Sequence, residues 1–412
     1  MLIAVRRIEG IKGDLTPPPS KFYTQFSVAL ATVCEGKSEI RAPLSVADTT
    51  CLLTSVEKLG GVAKKSTGKW VIWGTAGRPS PTVGVVDAKN SATGLSLLSS
   101  ICSLAGRAMV VTGDSQLRSR PIPEFLHGLR KIGVNAFSTK ENDSPPLVIM
   151  GANLKGGQMT LEVSDKYLPA LVLPCLFGRK DYHLKVVGGE RLRITIALLK
   201  DAGVCIKLGK MIKVERGVPV GFRTAVPRDP DLLAPFITLA VLTESRLKMV
   251  GEGKFLSILK SHGIKTETKK GRTVIEGPQR MKPLKIDVSD IPQFFPFFCT
   301  MACFAKGTSV FSGLSAARTS KSDRVSVMVE ALRKMGAKIE QKQDKVLISG
   351  PCSLKGSEVD AGGDPCTAAS LIIAGSLAAG ETLVHNAVYS LRTTYPSFLG
   401  LLRKLGGEIF LR

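Results

Sequence analysis

One short unit recurs six times in this chain, and its spacing restricts the fold more than any other feature. Residues 332–350 read LRKMGAKIEQKQDKVLISG: the end of an amphipathic helix, a glycine stop, a short strand, a polar turn and a return strand. Gly336 is placed for a left-handed C-cap. Lys338 to Gln341 alternates polar and apolar, as a half-buried strand does. Gln343-Asp344 supplies the turn, and Val346, Leu347 and Ile348 the return strand. The other copies begin VEKLGGVAKK at Val56, LRKIGVNAFS at Leu129, LKDAGVCIKL at Leu199, LKSHGIKTET at Leu259 and LRKLGGEIFL at Leu402. The anchoring glycines, Gly60, Gly133, Gly203, Gly263, Gly336 and Gly406, are separated by 73, 70, 60, 73 and 70 residues. The first two spacings recur as the last two, so each of the first three glycines has a partner 203 residues later. A single helix stop is common. The doubled spacing indicates a duplicated domain, each copy built of three repeats.

A chain of 412 residues exceeds the usual single-core limit, which agrees with two domains. No charge-free apolar run reaches the roughly 20 residues of a membrane span. The start, MLIAVRRIEG, lacks a signal-peptide layout and alternates like a strand. The nine cysteines are scattered without a CxxC, which suggests reduced thiols in a cytoplasm. The four histidines have no metal-ligand spacing, so neither a metal nor a cofactor is expected. The net charge of +23 is spread over every repeat and creates a field that attracts anions. Aromatic residues are 6% of the chain, and no basic stretch interleaves them along the sequence as a stacking platform would. Small phosphorylated anions are therefore favoured over nucleic acid as partners.

Two proline-rich crossings divide the chain: LTPPPSK at 15–21 and VPRDPD at 226–231. The chain begins with an unmatched strand and ends with only one strand after Gly406. The simplest closure lets residues 1–14 complete the last repeat. One domain is then 1–14 plus 228–412 and the other 15–227, with hinges near 15–20 and 226–231. The cleft between similar lobes is the default ligand site.

Several local motifs carry a resemblance: PPPSK at 17–21, KNSAT at 89–93, RSRPI at 118–122, FAKGT at 304–308, and SDR at 322–324 before a helix ending LRKMGA. With the repeat, they make the whole chain resemble the enolpyruvyl transferase family, and within it the EPSP synthases, the phosphoshikimate branch. The resemblance implies an α/β fold of two similar domains, each three βαβαββ units forming an inside-out α/β barrel. It also implies transfer of the carboxyvinyl group of phosphoenolpyruvate to the 5-hydroxyl of shikimate 3-phosphate, a step of aromatic amino-acid biosynthesis. Both substrates are multiply anionic, so such a site needs fixed cations and a proton donor and acceptor.

On that resemblance Lys21, preceded by Ser20, matches a lysine that contacts both substrates. Asn90 and Thr93 belong to a helix start facing phosphoenolpyruvate, where backbone amides favour anions. Arg120 in RSRPI and Arg324 in SDR match arginines that grip the same substrate. Ser164 matches a serine for the shikimate phosphate.

Elsewhere the pattern departs. Phe26 replaces an arginine, Ala92 a glycine and Ser96 an arginine. Asp165 and Lys166 replace a serine and a glutamine, and an aspartate beside a phosphate pocket is repulsive. Arg191 replaces a tyrosine. Pro365 and Cys366 follow Asp364 where His-Arg is the family pattern. Thr393 replaces a late lysine, with Arg392 beside it. Both proton-transfer carboxylates are replaced, one by Gln293 in DIPQF and one by Lys321 in SKSDR. Losing one acid/base group commonly costs roughly 10²–10⁴-fold in rate. Asp290, three residues before Gln293, and Lys321 are the remaining candidates for proton transfer.

Three readings stay open. The first is a divergent, monomeric carboxyvinyltransferase-type protein that binds phosphoenolpyruvate or a similar anion, with altered acceptor and acid/base groups. The second is a non-catalytic module that senses a ligand or binds a partner. The third is a nucleic-acid binder that exploits the charge.

Overall fold

The structure, a computed structural model, describes residues 2–187 and 189–412, and only the backbone of residues 158–161, 187 and 190. It divides into two compact units: Met1–Pro18 with Arg228–Arg412, and Pro19–Pro227. The secondary structure is mixed α/β throughout.

Six four-stranded sheets carry the described strands, three in each unit. All share one pattern: a parallel pair at one edge, followed by two antiparallel pairings. In the sheet holding the opening motif, Lys285–Asp287 runs parallel to Gly307–Ser312. Gly307–Ser312 pairs antiparallel with Lys345–Gly350, which pairs in turn with Lys338–Gln341. Three sheets are completed by strands from far along the chain, one of them by Lys12–Leu15, which runs parallel to Arg246–Val250. Ile3–Arg6 lies between Glu381–His385 and Ile409–Leu411, and Arg223–Ala225 runs parallel to Lys37–Arg41. The N-terminal segment, read above as one strand, contains two: Ile3–Arg6 and Lys12–Leu15. The break has a packing cause. Ile8 and Ile11 turn into the core, the Glu244 carbonyl crowds Gly10 so closely that a Cβ would lie 2.0 Å from its oxygen, and the second strand joins a different sheet.

Helices lie inside and sheets outside. In the unit Pro19–Pro227, the helices Lys21–Val33, Ala92–Cys102 and Leu168–Cys175 pack together. In the other unit Ala234–Leu242, Phe295–Ala302 and Pro365–Leu377 do so. These central helices are buried almost all round, which is why their sequences show little polar face. The flanking helices are amphipathic. Arg324–Lys334 buries Val325, Met328, Val329 and Leu332, spaced i, i+3, i+4 and i+7. Each unit has its own hydrophobic core. The inside-out layering holds, but the ladders are six separate sheets rather than one continuously hydrogen-bonded barrel.

The six anchoring glycines all sit at positive φ, between 76° and 105°. They close helices where a Cβ-bearing residue would be strained. Among the described residues, no helix is long and apolar enough to cross a membrane.

Candidate anion-binding site

In the unit Pro19–Pro227, two central helices begin side by side and their caps are cross-linked. Ser20 caps the Lys21–Val33 helix, its hydroxyl accepting from the Tyr23 amide. Ser91 caps Ala92–Cys102, accepting from the Gly94 amide at 2.9 Å. Gln25, 1% exposed, joins them: its Nε2 donates to the Asp48 carbonyl at 2.6 Å and to Ser91 Oγ at 2.7 Å. Lys21, in the first turn of its helix, sets its Nζ 3.0 Å from Asp48 Oδ2. Asp48 is 1% exposed. Its carboxylate holds the ammonium in place without neutralising the amides of the two helix starts.

The second half of the site is built on Asn90. The residue before it, Lys89, has φ 54°, an uncommon conformation for a lysine. Its amide and Nζ both bond Asp87 at 2.7 Å. Asn90 is 3% exposed and donates through Nδ2 to Asp114 Oδ2 at 2.7 Å and to Gln116 Oε1 at 2.6 Å. That leaves its Oδ1 to accept from Arg120 Nη2 at 3.1 Å, which orients the guanidinium. Thr93, half-buried, lies in the first turn of the Ala92–Cys102 helix. Ser96, where the family pattern has an arginine, is 3% exposed and donates to the Ala92 and Thr93 carbonyls at 3.1 Å.

Ser164 ends the strand Gly157–Ser164 and is half-buried. The departures beyond it form an arrangement that residue types alone do not foretell. Asp165 accepts from the amides of Arg191 at 3.1 Å and Leu192 at 2.6 Å. It thereby caps the N-terminus of the helix Glu190–Asp201. The aspartate expected to repel a phosphate also has a structural role, since its charge is matched by a helix end. Arg191 donates from Nη1 to the Lys166 carbonyl at 3.1 Å and lies over the Phe22 ring, 4.9 Å from its centroid. Lys166 Nζ lies 4.8 Å from the Tyr167 ring centroid. Partial burial of the Lys166 ammonium lowers its pKa first, and Arg191 and then Arg120 add to this against the opposing pull of Glu124. Three cations therefore share one neighbourhood, where the family pattern has a glutamine and a tyrosine with a single arginine.

The remaining candidates belong to the other unit. Arg324 is 8% exposed. Its Nε and Nη2 both lie 2.9 Å from Asp364 Oδ2. Asp364 caps Pro365–Leu377, accepting from the Cys366 and Thr367 amides. Burial acts to raise the Asp364 pKa, but the Arg324 charge and its hydrogen bonds prevail and hold it below the usual carboxylate range. Much of the binding capacity of Arg324 is therefore spent inside the protein. Lys321, half-buried, lies near enough for its charge to act on Asp364. Asp290 and Gln293 are exposed on two successive turns before the helix Phe295–Ala302. Thr393 is buried and donates to the Ser390 carbonyl, and Arg392 is exposed.

The structure thus links Lys21 through Asp48, Gln25 and Ser91 to Asn90 and Arg120, places Ser20 and Thr93 at the starts of the same two helices, and joins Arg324 to Asp364 near Lys321. Asp48, Gln25, Asp114 and Gln116 carry no signal in the sequence. Asp48 looks like any acidic residue in a first helical turn, and only the fold brings it to Lys21. Among the described residues no cluster of three or more His, Cys, Asp or Glu is arranged to hold a metal.

The model of the family described as EPSP synthase (3-phosphoshikimate 1-carboxyvinyltransferase) matches residues 5–402. A 3-phosphoshikimate 1-carboxyvinyltransferase of Methanococcus aeolicus is 28% identical over 100% of both chains. One of Methanosarcina acetivorans is 29% identical, over 97% of this chain and 96% of its own. Among solved structures, EPSP synthase from Acinetobacter baumannii superposes with a TM-score of 0.81 at 24% identity, covering both chains fully. The enolpyruvyl transferase NikO from Streptomyces tendae gives 0.80 at 16% identity, covering 99% of this chain and 98% of its own.

Proposed function

We propose that this chain, which belongs to the EPSP synthase family, binds a small anion carrying phosphate and carboxylate, such as phosphoenolpyruvate, and takes an acceptor other than shikimate 3-phosphate. The observation that carries the reading is the cross-linked pair of helix starts. Lys21 fixed on Asp48, Arg120 fixed on Asn90, and the N-terminus of Ala92–Cys102 supply two cations and free-ended amides around one place. Amides, macrodipole and a forked guanidinium are what a phosphate with an adjacent carboxylate needs. The altered acceptor follows from Lys166 and Arg191, which add positive charge, and from Phe26, which is buried and carries no charge to hold a carboxylate. Together with Asp165, these replacements move the fixed charges on that side without adding to their sum, so an acceptor whose anionic groups are placed differently suits it.

Transfer chemistry needs a proton on the enol methylene and the removal of one from the acceptor hydroxyl. The glutamine at 293 cannot titrate. Lys321, beside the Arg324–Asp364 pair of its own unit, stands where the family pattern has a carboxylate and carries an amine that can titrate. A second reading, a non-catalytic sensor of the same anion, is favoured by one observation: Lys21, Asn90 and Arg120 are retained while both proton-transfer carboxylates are replaced.

Isothermal titration with phosphoenolpyruvate and with shikimate 3-phosphate, separately and together, tests the proposal, followed by a phosphate-release assay on the same sample. Phosphoenolpyruvate binds, Lys21→Ala and Arg120→Ala each weaken it about tenfold or more, and shikimate 3-phosphate releases no phosphate. Phosphate release with shikimate 3-phosphate would overturn the altered acceptor. Absence of phosphoenolpyruvate binding would overturn the anion site.

A further inference from the structure

The first sheet of the unit Pro19–Pro227 turns a cationic face away from the core, with a tryptophan set into it. In the strands Lys37–Arg41 and Lys69–Trp73, Ser38, Ile40, Trp70 and Ile72 are buried. Strand alternation therefore puts Lys37, Arg41, Lys69 and Trp73 on the outer face. Pairing register fills in the rest. Lys37 lies opposite Trp73, and Glu39 lies opposite Val71, which in turn pairs with Lys64. Arg223 joins that row on the far side of Glu39. Lys37 Nζ and Lys64 Nζ stand 5.6 and 5.5 Å from the Trp73 ring centroid. The only carboxylate in these rows, Glu39, is already bonded by Arg41 at 2.7 Å and lies 3.9 Å from Lys69 Nζ. Along the sequence residues 64–73, KKSTGKWVIW, set three lysines beside two tryptophans but make no continuous cationic track. Cross-strand pairing assembles one from segments as far apart as Lys37 and Arg223.

We propose that this face binds single-stranded nucleic acid, its phosphates running over the cations of four adjacent strands while a base stacks on Trp73. Neighbouring strands lie about 4.8 Å apart, so the cations form a track across the sheet rather than a point. A stacking ring beside a cationic track accepts any base, because every base has a π-face. Four-stranded sheets that present aromatics to splayed bases are a recurrent solution for single strands. A duplex fits less well, since groove reading calls for a protruding helix or ribbon. An anionic lipid surface would also answer the charge, but Trp73 is half-buried between its lysines, a setting for a flat partner rather than for insertion into acyl chains. The inference is independent of the anion site at Lys21 and Arg120.

The test is fluorescence anisotropy of a labelled 12-nucleotide oligouridylate with the full chain across a salt series. The net charge of +23 attracts any polyanion, so the control is a second double charge reversal on another exposed sheet face. Lys37→Glu with Lys64→Glu is compared with Lys248→Glu with Lys269→Glu. The first pair is expected to weaken binding at least about tenfold and to flatten the log-log salt slope by about 1.4, near 0.7 for each phosphate no longer neutralised. The control pair shifts affinity less than about threefold. Trp73→Ala loses about tenfold, Trp73→Phe retains most of the binding, and the oligonucleotide quenches tryptophan fluorescence in the native chain. Equal losses in both charge-reversed pairs, or an unchanged affinity in Trp73→Ala, would overturn the proposal. So would co-sedimentation with phosphatidylglycerol vesicles that depends on Lys37 and Lys64 when oligouridylate does not bind.

Discussion

At Asp165 one carboxylate has two electrostatic meanings, and its neighbours choose between them. Next to a bound phosphate it repels. Under the Arg191 and Leu192 amides it completes a helix end. Asp165→Asn keeps an oxygen that can accept from the two amides and is expected to lower stability by only about 0.3–1 kcal/mol, the loss of the charge at the helix end. It should also tighten inorganic phosphate binding, because one negative charge leaves a neighbourhood of Arg191 and Lys166. Urea denaturation and a phosphate titration of the same variant read both effects, and weaker phosphate binding would show that the carboxylate mainly positions Arg191. Arg324 and Asp364 present the buried counterpart. Removing one partner strands a charge in a dry site, so Asp364→Asn is expected to cost about 3–5 kcal/mol in a denaturant melt. The pH dependence has a definite sign. The Asp364 pKa is depressed in the folded state, so its contribution is complete above the unfolded value near 4 and is lost as pH falls through the lower folded value. The native chain therefore loses stability on acidification below about pH 4, and Asp364→Asn loses less over the same range.

The helix-stop glycines show which elements were legible and how firmly each is held. Gly263 has φ 95° and open space where a Cβ would go, whereas a Cβ on Gly133, at φ 99°, would lie 2.2 Å from the Asn153 carbonyl oxygen. Gly263→Ala is expected to cost about 1–2 kcal/mol, the left-handed penalty alone, and Gly133→Ala clearly more, because backbone must move. Equal costs in urea melts would mean that the close approach at Gly133 relaxes freely. These stops could be read because a left-handed cap is a local demand that leaves a glycine at a fixed place after an apolar periodic run. The flanking helices were equally readable from their one-sided pattern. The N-terminal segment was not. A run of alternating residues gives no sign that Gly10 must yield to the Glu244 carbonyl and that the chain then changes sheets. The site divides the same way. Lys21, Asn90 and Arg120 are candidates that motifs alone single out. Asp48, Gln25 and the cap role of Asp165 depend on contacts between segments 23 to 66 residues apart, which no local pattern encodes. Trp73 and Lys37 became neighbours only through strand register.

For the whole molecule, the decisive fact is where each unit finds its last strand. The segment Pro19–Pro227 holds three sheets whose every strand is its own, and its core draws on residues from Phe26 to Val226. Produced alone, residues 19–227 are therefore expected to fold cooperatively, with a single urea transition by circular dichroism. The first of its sheets closes only because the chain returns at its far end: the Glu39 amide bonds the Phe222 carbonyl, the Gly221 amide the Glu35 carbonyl and the Val226 amide the Arg41 carbonyl. Ending the fragment at residue 217 removes the Arg223–Ala225 strand and buried Phe222 and Val226 with it. Loss of those two side chains alone is worth several kcal/mol, at about 1.5–3 kcal/mol each, on top of an opened sheet edge. The shorter fragment should be partly unfolded or aggregated under conditions where the longer one is native. Equal stability of the two would show that the returning strand adds little, and an unfolded 19–227 would show that the unit needs the rest of the chain. The first outcome would leave the Lys37–Arg41 edge able to stand open. The second would mean that the duplication visible in the glycine spacing produced two halves of one folding unit rather than two domains.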